Sequence, residues 1–259
     1  MTTLKPRLIG VLDYDSIIEY MRFDVITIFP KIFDSYLKES ILKRAQKNKL
    51  IEIKIWNLRD FSKNKHKKVD DKAYGGGPGM VMQIEPIIRA VQFAKSKILA
   101  SPAGRKNQKS RVKVVLFSAA GKQFDNKTAS DLAKKYDYLI LICGRYEGID
   151  ERIKKIVHSL GFKVQELSVG PYVLTGGEIP AMVLIDAVSR HLPGVLGKYR
   201  SLEEERYGIG VPAYTRPEVI KFPLPRRGKK NKKYKVPSVL LSGDHRKIEE
   251  WRKRNKKGF

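Results

Sequence analysis

Val112-Lys-Val-Val-Leu-Phe117 and Leu139-Ile-Leu-Ile-Cys143 decide the architecture. Both runs are short, nearly continuously apolar and rich in branched side chains, as strands buried on both faces of a parallel sheet are. Between them Asn126 to Tyr136 reads as a helix, the crossover that parallel neighbours need. Working outward, Asp24 to Phe29 alternates with apolar residues, and so do Ile51, Ile53 and Ile55; each predicts a strand. The set Ile32, Phe33, Tyr36, Leu37 and Ile41 has helical spacing, and Pro86 suits the opening of a helix over Glu85 to Lys95. A basic Ser/Pro/Gly loop follows, from about Ser96 to Ser110. Further helices are predicted over Ile149 to His158 and over Glu178 to His191, the latter with Pro180 in its first turn. Strands alternating with helices make an α/β domain. From Lys198 to Gly210 the chain turns polar and acidic, as a linker does. The remainder is a small basic region with one helix over His245 to Arg254.

The chain has 259 residues, 42% of them hydrophobic, enough for one large domain plus a small one. Its 53 Lys and Arg against 27 Asp and Glu leave a formal +26, which calls for a polyanionic partner. No apolar run approaches the roughly 20 residues of a spanning helix, so nucleic acid is expected rather than a membrane. Asp13 and Asp15 interrupt the short apolar patch at the start, against a secretory signal. One cysteine excludes an internal disulfide framework and fits a reducing cytoplasm. The basic charge is uneven: Lys95 to Lys113 holds seven cations and no acid, and Lys221 to Phe259 fifteen cations and three acids. Such runs are either solvated faces or phosphate contacts.

Three glycine-rich stretches carry the chemistry: Tyr74-Gly-Gly-Gly-Pro-Gly-Met80, Cys143-Gly-Arg-Tyr-Glu-Gly-Ile-Asp-Glu-Arg152 and Ser168-Val-Gly-Pro-Tyr-Val-Leu-Thr-Gly-Gly-Glu178. Glycine lets the backbone turn sharply and touch a ligand directly. None of the three fits the phosphate-binding loop or the dinucleotide fingerprint. Together they suggest one composite pocket made largely of main chain. Cys143 ends an apolar run and reads as a buried, inert thiol. His66, His158, His191 and His245 have no metal-ligand spacing with one another or with Cys143.

Two of these loops and the segments around them resemble the bacterial tRNA (guanine-N1)-methyltransferase family, of the SPOUT knotted methyltransferases. The matching pieces are Met21-Arg-Phe-Asp-Val-Ile-Thr-Ile-Phe-Pro30, Val69-Asp-Asp71, Tyr74 to Met80, Gly144 to Arg152, Tyr172 to Arg190, Pro193-Gly-Val-Leu-Gly197 and Tyr214-Thr-Arg-Pro-Glu-Val219. They run in order from Met21 to about Arg252. The resemblance implies a trefoil-knotted catalytic domain with a parallel sheet flanked by helices over 21–197, a linker over 198–210 and a small, mainly helical, tRNA-binding domain over 211–259. Residues 1–20 have no counterpart in the family, and are either a real extension or a misassigned start. The implied reaction is methyl transfer from S-adenosylmethionine to N1 of guanosine at position 37 of tRNA, by a cytoplasmic homodimer. The rival reading is a catalytically weak or inactive tRNA- or rRNA-binding protein on the same scaffold.

The resemblance also assigns residues. The cofactor falls to Phe117, Ser118 and Gly121; to Gly144, Tyr146 and Glu147; and to Val169, Gly170, Pro171, Tyr172, Val173 and Leu174, with Gly176 and Gly177 behind them. The family usually has Pro at Ala119 and Asp at Pro171. Tyr146 stacks on the target base or on the cofactor. Asp70 reads a neighbouring guanine, Gly79 permits close approach of a base, and His66 touches RNA. Arg190 offsets charge on the guanine O6. Glu205 takes the place of the family's general base, with Glu204 as the alternative. A divalent ion such as Mg2+ is implied, with no dedicated site visible. The helix holding Ala181, Met182, Leu184, Ile185 and Val188 is expected to supply part of the dimer interface.

Overall fold

The computed structural model describes residues 20–100, 111–197, 202, 210–222 and 232–256. Strand β1 (Met21–Thr27) leads through the short helices α1 (Asp34–Leu37) and α2 (Ser40–Lys47) to β2 (Ile51–Asn57). Two-residue strands β3 (Asp70–Asp71) and β4 (Val81–Met82) pair antiparallel and precede α3 (Ile84–Ala100). Then come β5 (Val112–Gln123), α4 (Asn126–Lys135), β6 (Tyr138–Ile142), α5 (Arg152–Ser159), β7 (Lys163–Ser168) and α6 (Glu178–Ser189). Strands β2-β1-β6-β5-β7, in that order, form one sheet, and every pairing in it is parallel.

The continuous apolar run of β6 follows from its place between β1 and β5, with helices over both faces. Leu139 and Leu141 enter the core beneath α2, α4 and α6. Tyr138, Ile140 and Ile142 enter the one beneath α3 and α5. Strand β1 begins at Met21 rather than Asp24, because Arg22 is buried as one partner of an ion pair. Its Nε and Nη2 donate to the two Asp24 carboxylate oxygens at 2.8 Å, and the Trp56 indole donates to the same carboxylate at 2.7 Å. Paired and bonded in this way, both charges tolerate the interior. Helix α3 runs to Ala100, beyond the expected end at Lys95, because Ile98 continues the buried stripe of Ile87, Val91 and Ala94. Strand β7, which sequence reasoning did not anticipate, forms one edge of the sheet.

Strand β5 also outlasts its expected end at Phe117. It pairs with β7 up to Phe117↔Leu167, swings out over Ser118 to Gly121, and pairs again at Lys122↔Leu167 and Gln123↔Ser168. Such a bulge re-aims a strand. Gly121 allows it, since a Cβ there would lie 2.7 Å from the Leu167 backbone.

The chain divides into two compact units between Gly197 and Lys198. In the second, β8 (Val219–Phe222) pairs antiparallel with β9 (Lys232–Lys235), and α7 (His245–Asn255) is the expected helix. The Tyr214 ring meets that of Trp251 edge-on at 6.1 Å. The expected linker base Glu205 and its alternative Glu204 lie outside the described residues, as do residues 1–19.

Candidate active site

At the carboxyl ends of β5, β6 and β7 the chain encloses a cleft of about 520 Å³. This is the size of a small-molecule site, at the end of a parallel sheet where ligands of open α/β folds bind. The three glycine-rich loops meet beside it. The 74–80 loop joins β3 to β4, with Gly75, Gly76, Gly77 and Gly79 all at positive φ. Gly79 lies against Glu147, whose Oε1 would be 2.5 Å from a Cβ at position 79. Main-chain bonds fasten this loop to the second one. The Glu147 amide donates to the Met80 carbonyl at 3.0 Å, and the Met82 amide donates to the Gly148 carbonyl at 3.0 Å. The second loop is fastened to the third where the Gly177 amide donates to the Gly144 carbonyl at 2.9 Å. A Cβ at Gly177 would lie 2.7 Å from the Cys143 Cα, so only glycine permits this approach.

Of the residues expected to hold a cofactor, Phe117, Ser118, Gly144, Tyr146, Glu147, Val169, Tyr172, Val173, Leu174, Gly176 and Gly177 line the cleft. Gly121, Gly170 and Pro171 do not. Gly121 backs the bulge against β7, and Gly170 leaves room for the Tyr172 ring, which a Cβ at that position would meet at 2.2 Å. Pro171 is exposed on the turn outside. Tyr172 closes this turn, its hydroxyl donating to the Val169 carbonyl at 3.2 Å. Tyr146 and Tyr172 are 48% and 55% exposed, which leaves both able to cover a planar ligand.

Several lining residues escaped sequence reasoning. Lys154, on α5, bonds Glu151 and Glu166 at 2.8 Å each. The Lys154 ammonium and the Ser118 hydroxyl together hold the Glu166 carboxyl below the usual carboxylate range. The cleft wall therefore carries an ionised acceptor. Arg145 also lines the cleft, and its Nε donates to the buried Glu178 carboxylate at 2.9 Å. Cys143 is buried behind it. Burial, then the Glu178 charge, push its thiol well up, so it is no nucleophile.

The remaining expected residues lie at a distance from the cleft or along its approach. Asp70 pairs with Met82 across the β3–β4 ribbon, which is bonded in turn to the 147–150 segment. His66 sits in an exposed turn, its amide donating to Asn64 Oδ1 at 2.7 Å. Arg190 caps the C-terminus of α6, whereas Gly177 and Pro180 line the cleft from its N-terminal end. Arg190 is not among the residues that line the cleft of its own chain. Ala181, Leu184, Ile185 and Val188 are buried in the chain's own core and Met182 packs against it, so the face that α6 leaves for a partner is another one. The exposed apolar side chains of α6 are Ile179 and Val183; Phe29, Ile32 and Tyr36 are exposed as well. The Tyr36 hydroxyl donates to Asp186 on α6. Among the described residues there is no cluster of three or more His, Cys, Asp or Glu fit to hold a metal ion, and no helix long and apolar enough to cross a membrane.

The sequence model of the family described as tRNA (guanine-1)-methyltransferase TrmD matches residues 21–258. A protein of Dictyoglomus turgidum named tRNA (guanine-N(1)-)-methyltransferase is 47% identical over 237 residues, 90% of this chain and 84% of its own. Proteins of the same name from Ruminiclostridium cellulolyticum and Clostridioides difficile are 46% and 44% identical, each over 90% of this chain and over 89% and 91% of their own lengths.

Proposed function

The chain belongs to the tRNA (guanine-1)-methyltransferase family, and from that premise we propose that it methylates N1 of guanosine at position 37 of tRNA, using S-adenosylmethionine. The observation that carries this reading is the junction of the three glycine-rich loops around one cleft of about 520 Å³. The relatives are named as enzymes, and no observation favours a binding-only protein.

When bound, S-adenosylmethionine supplies a methyl group activated by its sulfonium. The residues present suit it. The second and third glycine-rich loops bring main chain to the cleft at Gly144 and Gly176, Val169 and Leu174 offer apolar cover, and the Glu166 carboxylate accepts from hydroxyl groups. Tyr146 stacks on whichever ring lies beside it.

The guanine N1 holds its hydrogen and is a weak nucleophile until that proton leaves. Negative charge then spreads to O6. Glu205 takes the proton as general base, and Arg190, always charged, offsets the charge on O6. Asp70 accepts from the N–H donors of the guanine before the target. Arg190 closes the C-terminal end of α6 and does not line its own cleft, and in this reading a second copy supplies it within a homodimer. The exposed Phe29, Ile32, Ile179 and Val183 form its apolar contact.

Labelled methyl transfer to unmodified transcripts tests the reading. A transcript with guanosine at 37, preceded by guanosine, accepts methyl groups, and changing the preceding guanosine lowers the rate strongly. Absence of transfer to any tRNA overturns the proposal, and equal rates on both transcripts remove Asp70 from base reading.

A further inference from the structure

Glu178 opens α6 with 1% of its surface exposed. A carboxylate this deep persists only when its oxygens are bonded. Here the Thr27 hydroxyl donates to Oε1 at 2.8 Å and the Arg145 Nε donates to Oε2 at 2.9 Å. The rest of the Arg145 fork turns to the third glycine-rich loop, Nη1 donating to the Thr175 carbonyl at 3.1 Å. The guanidinium carbon lies 4.7 Å from the centre of the Phe29 ring. The arginine stem crosses Gly176 so closely that a Cβ there would be 2.2 Å from Nε. One side chain thus clasps the second loop to the third, with Glu178 behind it.

The next residue shows what the clasp restrains. Tyr146 has φ +61°, in the left-handed region that a bulky aromatic residue avoids. Such a backbone survives only where its surroundings over-determine it. On one side stands Arg145, held by Glu178 and Thr175. On the other stands Glu147, whose amide is bonded to the Met80 carbonyl at 3.0 Å.

We propose that Glu178 is a positioning residue for the reaction: acting through Arg145, it holds Tyr146 and Gly176 in the conformation that receives the cofactor. The inference rests on the reading of the cleft as an S-adenosylmethionine site. Glu178 itself stands behind the cleft wall and touches no substrate. The competing account is that the pair merely fills the core beneath α6.

Two variants of the full chain separate these accounts. Glu178→Gln keeps the shape and an acceptor for Thr27 but loses the charge that orients the guanidinium. Arg145→Lys keeps a cation beside Glu178 but lacks the planar fork that also reaches Thr175. It serves as the informative variant if Glu178→Gln does not fold. Hydrogen exchange on the ligand-free protein reads the clasp, through the Glu147 and Gly177 amides that are bonded across the loops. Calorimetry with S-adenosylhomocysteine reads the site. Each variant is expected to speed exchange at Glu147 and Gly177 about tenfold or more, leave the Ile140 amide protected, and weaken binding about tenfold. The double variant should bind no worse than the weaker single, because both substitutions break one linkage.

Unchanged exchange at Glu147 and Gly177 overturns the proposal. So does faster exchange that includes Ile140, which marks general loss of stability. Losses of affinity that multiply in the double variant also overturn it. If the variants change exchange as expected yet the wild-type protein binds no S-adenosylhomocysteine, the cofactor reading of the cleft falls, and the positioning role falls with it.

Discussion

Asp125 closes the N-terminus of α4 by accepting the Thr128 amide at 2.7 Å. The Thr128 side chain and amide hold the Asp125 carboxyl below its usual range. A depressed carboxyl stabilises the fold above its unfolded value, about 3.9, and that contribution is lost as pH falls through the folded value. Asp125→Ala should therefore cost about 1 kcal/mol at pH 7, and the difference from wild type should shrink below about pH 4 in urea titrations. In the proposed mechanism Glu205 is the general base. Glu205→Gln keeps size and hydrogen-bonding reach but cannot take the proton. Methyl transfer should fall by about a hundredfold to ten-thousandfold while calorimetry still shows tRNA and cofactor bound. Glu205→Asp should retain activity, and Glu204→Gln should be mild. A dead Glu204→Gln beside a near-normal Glu205→Gln would move the base to Glu204. The cleft's glycines were legible only as a set, because any one of the three loops alone reads equally well as a tight turn. The Arg145–Glu178 link was not. It spans 33 positions and leaves no periodic trace.

At the scale of elements, legibility followed burial. Strands β1, β2, β5 and β6 announced themselves because apolar side chains enter one core or both. Strand β7 stayed hidden because it lies at a sheet edge, and Lys163, Gln165 and Glu166 dilute its apolar positions. The bulge of β5 was equally silent, since Ser118-Ala-Ala-Gly121 has no strand or turn signature of its own. It nonetheless sets one wall of the cleft, and it depends on one missing side chain. In Gly121→Ala the new Cβ meets the Leu167 backbone at 2.7 Å, and a main chain cannot step aside as a flexible side chain does. The variant should lose about 1–3 kcal/mol, a fall of several degrees in melting temperature, and should bind S-adenosylhomocysteine more weakly. A melting temperature equal to wild type would show that β7 yields freely.

At the scale of the whole molecule, the exposed apolar residues and the absence of Arg190 from the cleft lining point the same way. Light scattering at micromolar concentration should give twice the chain mass. Val183→Glu places a charge in the proposed contact, so it should yield monomers with an unchanged circular-dichroism spectrum and little methyl transfer. A monomeric variant with full activity would sink the shared site. The parallel pairing of β1 with β6 has a temporal consequence as well. Arg22 meets Tyr138, so the middle of the sheet joins segments 116 positions apart (138 − 22). During synthesis, β1 emerges long before its inner neighbour exists, and it must wait with the edge that β6 will pair still open. Closing so long a loop is slow, and such intermediates aggregate. Chains halted before Tyr138 should therefore need a chaperone, and the rate of translation through β5 and α4 becomes a determinant of yield.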